Sequence, residues 1–325
     1  MEAYEQLEFE FAEWNGLDPS GMVACNSGTS AIHLALEAMR LPAGSEVVTP
    51  DFGMIACPRA VTLAGMVPVF VDCDEQLLLD KDEFARQRNS TPEVVMTVHV
   101  HGRQIHEDVF YHAGQYNWYV IEDLAEAHGI RPHSNTDAAC WSFQSSKVIH
   151  AEEGGAAWFR DKDAAKLARS LRTMGFTEEW DYMHLRGGIN GRMSNAHATM
   201  ILDSLHAFDA NMLKRRAMEA AYNAHCPNEW RMPERASPWI YDARIPGLTA
   251  DRQRSIIREL QAQGVPARFP FRPMHVQEEY EDCRRVGGEI AERMSRELIC
   301  LPLSPERTTA AMPEKAFRII RAMTD

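Results

Sequence analysis

The sequence predicts an α/β protein: a mainly parallel, seven-stranded sheet between helices, followed by a smaller C-terminal α+β domain. Three observations carry this expectation. Seven short runs of β-branched and small apolar residues begin near Met22, Glu46, Val67, Val94, Trp118, Ala138 and Ala156. Between several of them lie stretches of helical period, such as Ile32, Ala35, Leu36 and Met39 at i, i+3, i+4 and i+7. Strands alternating with helices read as crossover units, hence as a parallel sheet covered on both faces. The third observation is a change of character near Ser194. A long helical stretch over 196–222, one helix or two, carries Lys214, Arg215 and Arg216 on a face expected to be solvated. Prolines then become frequent (Pro227, Pro233, Pro238, Pro246). A helix over 251–263, an irregular segment over 264–275 and a last helix over 313–323 complete the chain. Arg284 and Arg285 also read as a solvated helix face. These features divide the chain into a large domain, residues 1–209, and a small domain, residues 210–325.

Composition narrows the function. At 325 residues and 45% hydrophobic content there is ample material for such a core. A balance of 34 Lys+Arg against 47 Asp+Glu, net −13, argues against a large phosphate-backbone footprint, so no nucleic-acid partner is expected. No apolar run is long enough to span a bilayer, and the start Met1-Glu2-Ala3-Tyr4-Glu5 is acidic, unlike a signal or transit peptide. The seven cysteines are scattered with no C-x-x-C pair, which fits buried, reduced thiols in a cytoplasmic protein. Small-molecule substrates are the expected partners.

Three local features fall at the ends of predicted strands, where open α/β sheets bind ligands. Cys25-Asn26-Ser27-Gly28-Thr29-Ser30 joins a strand to a helix start, and such a turn aims N–H groups and hydroxyls at one point, as a phosphate requires. Its plainer reading is a helix cap. Glu122-Asp123 ends another apolar strand, where Asp123 suits a protonated ring nitrogen, or again a cap. Lys147, in Phe143-Gln144-Ser145-Ser146-Lys147, sits between two apolar strands rather than on a polar helix. Partial desolvation there would lower its pKa and free the amine as a nucleophile; the plainer reading is a surface turn. His99 and His101 alternate on a strand end, but no third residue at metal-site spacing accompanies them, so no metal is expected. A phosphate cradle, a carboxylate for a pyridine nitrogen and a desolvated lysine together are what pyridoxal 5′-phosphate needs.

The order and context of these motifs resemble the DegT/DnrJ/EryC1/StrS sugar aminotransferases, a branch of the fold-type-I pyridoxal-phosphate enzymes. The residues from Asn26 to Leu36 resemble N-S-G-T-x-A-L-x-L-A-L, and Pro68-Val-Phe-Val-Asp72 resembles P-V-F-V-D. The stretch from Val98 to Gly102 resembles V-H-x-x-G, and that from Glu122 to Gly129 resembles E-D-A-A-[QE]-A-x-G. Ser142-Phe143 with Lys147 and Glu153-Gly-Gly155 resembles S-F-x-x-x-K…E-G-G. Farther on, Asn190-Gly-Arg-Met193, Arg272-Pro-Met-His275 and Leu301-Pro-Leu303 resemble N-x-R-M, R-P-L-H and L-P-L. The resemblance spans nearly the whole chain from about Phe9.

Carried over position by position, the resemblance implies that Lys147 forms the imine with the cofactor and Asp123 partners the pyridine nitrogen. It implies that Ser27, Gly28, Thr29 and Ser142 hold the phosphate, and that Glu126 faces the 3′-hydroxyl side. Asn190 would reach the phosphate bound by the neighbouring subunit, making a homodimer part of the site. Where the family pattern T-F-x-A-T lays an aromatic on the ring, this chain has Gly53-Met54-Ile55-Ala56-Cys57, so Met54 or Phe52 takes that place. The short stretch before the cradle, the short loop between His128 and Ser142 and the trimmed small domain all touch parts that shape a sugar-nucleotide site. The implied activity moves an amino group from an amino acid, L-glutamate or L-glutamine, to a nucleotide-linked keto-sugar. Two alternatives stay open from the sequence. One is a decarboxylase, dehydratase or isomerase using the same cofactor on an amino-acid-like substrate. The other is a non-catalytic relative that binds the cofactor as a sensor or structural element.

Overall fold

Each of the seven apolar runs becomes a strand in the computed structural model, which describes residues 1–89, 93–178 and 182–324. They are β1 (Met22–Cys25), β2 (Glu46–Pro50), β3 (Val67–Val71), β4 (Val94–Val98), β5 (Tyr119–Asp123), β6 (Ala138–Ser142) and β7 (Gly155–Phe159). Three more follow: β8 (Ile240–Arg244), β9 (Arg285–Val286) and β10 (Leu298–Pro302). The main sheet has the order β1-β7-β6-β5-β4-β2-β3-β9, so it holds eight strands rather than seven. The extra one, β9, is two residues long, too short to show a period, and pairs parallel with β3. Arg285 therefore lies in a sheet edge rather than on a helix, and its guanidinium pairs with Glu292. All pairings are parallel except those of β7, which runs antiparallel to β1 and β6.

The helices are α1 (Ala3–Asn15), α2 (Gly28–Ala38), α3 (Ala56–Leu63), α4 (Lys81–Ala85), α5 (Glu107–Tyr116) and α6 (Lys162–Leu171). They continue with α7 (Asn195–His206), α8 (Phe208–His225), α9 (Ala250–Ala262), α10 (Ile290–Glu297) and α11 (Met312–Thr324). Alternate strand residues feed two different cores, because successive side chains point to opposite faces. Val23, Met96, Cys140 and Ala157 pack with residues of α2, α3 and α6. Ala24, Ala139, Trp141 and Trp158 pack on the other face with α1 and α7. Val95 and Val120 join α5 there. The 196–222 stretch forms two helices meeting at Ala207. Arg215 is buried, not solvated: α8 turns it inward, where it donates to the carbonyl of Trp239 at 2.9 Å. No helix among the described residues is long and apolar enough to cross a membrane.

β8 and β10 form a separate antiparallel pair whose core is shared with α8, α9 and α11. Two contacts fasten this pair to the segment that follows β4 in the main sheet. Gly102 (φ 82°) lies so close to the chain at Ser237 that an added Cβ would stand 1.6 Å from the Ser237 carbonyl oxygen. Beside it, Asp242 of β8 accepts from Arg103 at 2.8 and 2.9 Å, from Arg235, and pairs with the His101 Nδ1 at 2.9 Å. Arg235 also donates to Glu219 at 2.8 Å, so two buried cations meet two buried carboxylates. Removing one member of such a cluster strands the others without water. Asp242→Ala should therefore cost about 3–5 kcal/mol of unfolding free energy in a urea titration, and an unchanged midpoint would show that the guanidiniums find other partners.

Candidate active site

Three strand ends converge at the first residue of β7. Gly155 is in register with Cys25, the last residue of β1, and with Ser142, the last residue of β6. A Cβ at Gly155 would stand 2.2 Å from the Ser27 carbonyl oxygen and 2.7 Å from the Gly28 nitrogen, so only glycine lets β7 pass behind this turn. Ser27 has extended backbone (φ −163°, ψ 160°) and its hydroxyl accepts from the Ser30 N–H at 3.1 Å. It is thus the N-cap of α2, as the plainer reading of that serine has it, and it also lines the cavity described below. The N–H groups of Gly28 and Thr29, in the first turn of α2, have no intrahelical acceptor and face outward with the helix dipole behind them.

At the end of β5 the adjacent carboxylates divide their tasks. Glu122 is enclosed by the His99 Nε2 at 2.7 Å, the His133 N–H at 2.7 Å and the Thr136 hydroxyl. Burial works against its charge, but those hydrogen bonds outweigh it and hold the carboxyl below its ordinary pKa. Asp123, on the opposite face, accepts from the Ala125 N–H at 2.9 Å and from the Cys57 thiol at 3.1 Å. Burial and the neighbouring Asp123 raise the Cys57 pKa, which keeps the thiol protonated as a donor. Glu126, one turn on, accepts the His101 N–H at 2.8 Å.

Lys147 lies in the loop from β6 to β7, with its Nζ 4.0 Å from the centre of the Trp239 ring. Trp239 is held there by its indole N–H, which donates to the Ser146 carbonyl at 2.8 Å. Burial pushes the Lys147 pKa below its ordinary value; Glu126 and Asp123 oppose the shift, and Arg268 adds to it.

A cavity of about 330 Å³ brings together Ser27, Gly28, Thr29, Met54, Asp123, Glu126, Ser142 and Lys147. Met54 lines it, whereas Phe52 is fully buried against Phe271 at 5.9 Å and does not. Asn190 is elsewhere: with His33, Glu37 and Arg186 it lines a hollow of about 550 Å³ on the other side of the first turn of α2, sharing only Thr29 with the first cavity. Sequence reasoning did not single out Trp239, Arg268 or Phe271 in the first cavity, nor Cys57 behind Asp123. Only a weak signal existed for two of them, since Arg268 and Phe271 fall in the irregular segment before Arg272-Pro-Met-His275. His99 and His101, the histidines of the strand end, are engaged by Glu122 and Asp242.

The model of the DegT/DnrJ/EryC1/StrS aminotransferase family matches residues 2–323. The chain belongs to this family. It is 33% identical to GDP-perosamine synthase of Caulobacter vibrioides, across 94% of this chain and 86% of that one. It is 26% identical to UDP-2-acetamido-2-deoxy-3-oxo-D-glucuronate aminotransferase of Pseudomonas aeruginosa, across 94% and 87%. Among solved structures it resembles DesI in the presence of its TDP-sugar product, with a TM-score of 0.86, 26% identity and coverage of 98% and 83%. As a DegT-family member the chain is a pyridoxal-phosphate-dependent aminotransferase. The cavity fits that cofactor: free N–H groups at a helix start on one side, a buried carboxylate at a strand end, and a desolvated amine in the wall. If the close approach at Gly155 sets the cradle, Gly155→Ala should weaken cofactor binding at least ~10-fold, the loss of about one hydrogen bond to a charged group. Equilibrium titration with pyridoxal phosphate checks this, and unaltered affinity would detach Gly155 from the cradle.

Proposed function

We propose that this enzyme transfers the amino group of L-glutamate or L-glutamine to the carbonyl of a keto-sugar carried on a nucleotide. The observation that carries the substrate class is the whole-length match to relatives named for GDP-, UDP- and dTDP-linked sugars. When bound, pyridoxal phosphate supplies a carbonyl carbon that takes the amino group and a ring that accepts the electron pair left on the substrate carbon. The chain's own residues do the rest. Gly28 and Thr29 would present N–H groups to the phosphate, with Ser27 beside them in the same turn and the Ser142 hydroxyl from the end of β6. Asp123 would keep a proton on the ring nitrogen, its carboxylate oriented by the Cys57 thiol and the Ala125 N–H. Glu126 would face the 3′-hydroxyl side and Met54 would cover the ring. Lys147 would hold the cofactor's carbonyl carbon through its Nζ. Its amine, with a pKa lowered by burial, would move the proton at the substrate carbon.

We also propose a homodimer in which Asn190 completes the partner's phosphate site. Its position on the separate hollow supports this, as do the exposed apolar side chains nearby, Leu63 on that hollow and Met183 and Leu185 beside Arg186 in sequence. The division into residues 1–209 and 210–325 is kept as a proposal, with the division point in the first turn of α8. Seven free thiols, six of them buried, favour a cytoplasmic location.

With donor alone, one equivalent of keto acid per site should be released and turnover should then stop until an acceptor is added. Repeated turnover with loss of carbon dioxide or water would instead identify a decarboxylase or dehydratase. Borohydride should leave a reduced adduct on Lys147 that Lys147→Ala lacks, and Asp123→Asn should lose about 10²- to 10³-fold in turnover while still binding cofactor. An adduct on another lysine would overturn the assignment.

Mixing Lys147→Ala with Asn190→Ala tests the shared site. Each heterodimer would gather both defects in one site and leave the other intact, so activity should return. No recovery after verified subunit exchange would place Asn190 in its own chain's site.

A further inference from the structure

We propose that Trp239 is a positioning residue of this site: its ring face seats the Lys147 amine whenever that amine is not bonded to the cofactor. The inference rests on the proposed role of Lys147 and adds the group that controls it. The Lys147 Nζ lies 4.0 Å from the centre of the ring. The other cation–ring contacts among the described residues are made by arginines, at 4.9, 5.4 and 5.5 Å. Among the described residues the Lys147 Nζ makes no hydrogen bond and no ion pair, although Asp123, Glu126 and Glu153 line the same cavity. The amine thus rests on the ring and not on a carboxylate.

The ring is held from several directions. Trp239 is buried, and its indole N–H donates to the carbonyl of Ser146, the residue before Lys147, at 2.8 Å. Its own carbonyl accepts from Arg215 at 2.9 Å, and the ring of His101 is centred 6.1 Å away. The Lys147 N–H in turn donates to the Gln144 carbonyl at 2.8 Å. With ring and backbone both fixed, the four-carbon stem of the lysine is the part left free to move.

A lysine that takes up a proton and later returns it must rest within reach both as an ammonium and as an amine. A carboxylate would hold the ammonium and resist the return of the proton. An aromatic face attracts the ammonium through its quadrupole, yet it accepts the neutral amine as an apolar contact. The other groups around Lys147 come from several elements. Burial works against its charge, Glu126 and Asp123 at the end of β5 and Cys57 on α3 favour it, and Arg268 opposes it. Glu153 stands in the cavity wall. His101 and His128 also feel the lysine, and both are neutral because burial lowers their pKa to about 3.

The test reads the Lys147 proton directly. Isotope-labelled formaldehyde with cyanoborohydride methylates the lysines of the full, cofactor-free chain, and the NMR signal missing in Lys147→Arg belongs to Lys147. Trp239→Leu keeps the wall apolar but removes the π face, so the ammonium loses its partner. Its titration midpoint should fall by about one pH unit, the value of a cation–π contact shielded from water. Trp239→Phe, with a smaller face, should fall by part of that, and it carries the test if Trp239→Leu does not fold. An unchanged or raised midpoint overturns the seat. In the holoenzyme, Trp239→Leu should lower kcat about 10-fold with the KM for L-glutamate little changed, because the ring serves the lysine and not the substrate. Trp239→Phe should recover part of the loss. A defect confined to KM would give the ring to the substrate instead. The titration is read without cofactor, so a borohydride adduct on another lysine would count against the cofactor role of Lys147 alone, and the midpoint would still decide the seat.

Discussion

Everything in the site depends on one register. β7 runs backwards between β1 and β6, and its first residue, Gly155, stands level with the last residues of both. Reversing one strand in an otherwise parallel neighbourhood puts its N-terminal end at the edge where its neighbours have their C-terminal ends. The turn into α2, the hydroxyl of Ser142 and the loop bearing Lys147 are thereby drawn to one point. The backbone at Ser27 then comes so near Gly155 that no side chain can stand between them. Shifting this register by one residue would also exchange the two core faces fed by β7, Ala157 and Phe159 for Ala156 and Trp158. Packing thus enforces the geometry of this cavity.

Charge is handled by separating neighbours. Glu122 and Asp123 are consecutive, yet strand alternation sends them to opposite faces, where one is surrounded by His99, His133 and Thr136 and the other, among the described residues, accepts from Cys57 and one N–H. A carboxylate with spare acceptor capacity inside a cavity is available to a ligand; a saturated one is structural. The same economy applies to Lys147, whose amine is covered by the Trp239 ring rather than paired with a carboxylate. An ion pair would have locked it as an ammonium, whereas an aromatic face stabilises it more weakly and leaves it able to lose a proton.

The C-terminal part of the chain is no bystander. Trp239, Arg268 and Phe271 all come from it and wall the cavity built by the main sheet. Their placement relies on the tight approach of Gly102 to Ser237 and on the buried cluster around Asp242. A cluster with matched charges is unforgiving of displacement, because moving one member exposes the rest to an uncompensated interior. It therefore serves as a locating device for the second wall of this cavity. Arg215, reaching from α8 to the carbonyl of Trp239, secures the same wall.

The sequence by itself determined the sheet, its seven main strands and the local turns, because period, apolar runs and cap residues act over a few neighbours. The motifs around Ser27, Asp123 and Lys147 were legible for the same reason, and they lie in one cavity. Only the tertiary structure decided what meets them from afar. β9 is two residues long and carries no period, so its place beside β3 is set by distant packing. Arg215 has the charge of a surface residue and becomes buried only because a carbonyl of a remote segment awaits it. Trp239 and Arg268 stand 92 and 121 positions beyond Lys147 in the sequence, and no local pattern marks a side chain whose role depends on which strand end it covers.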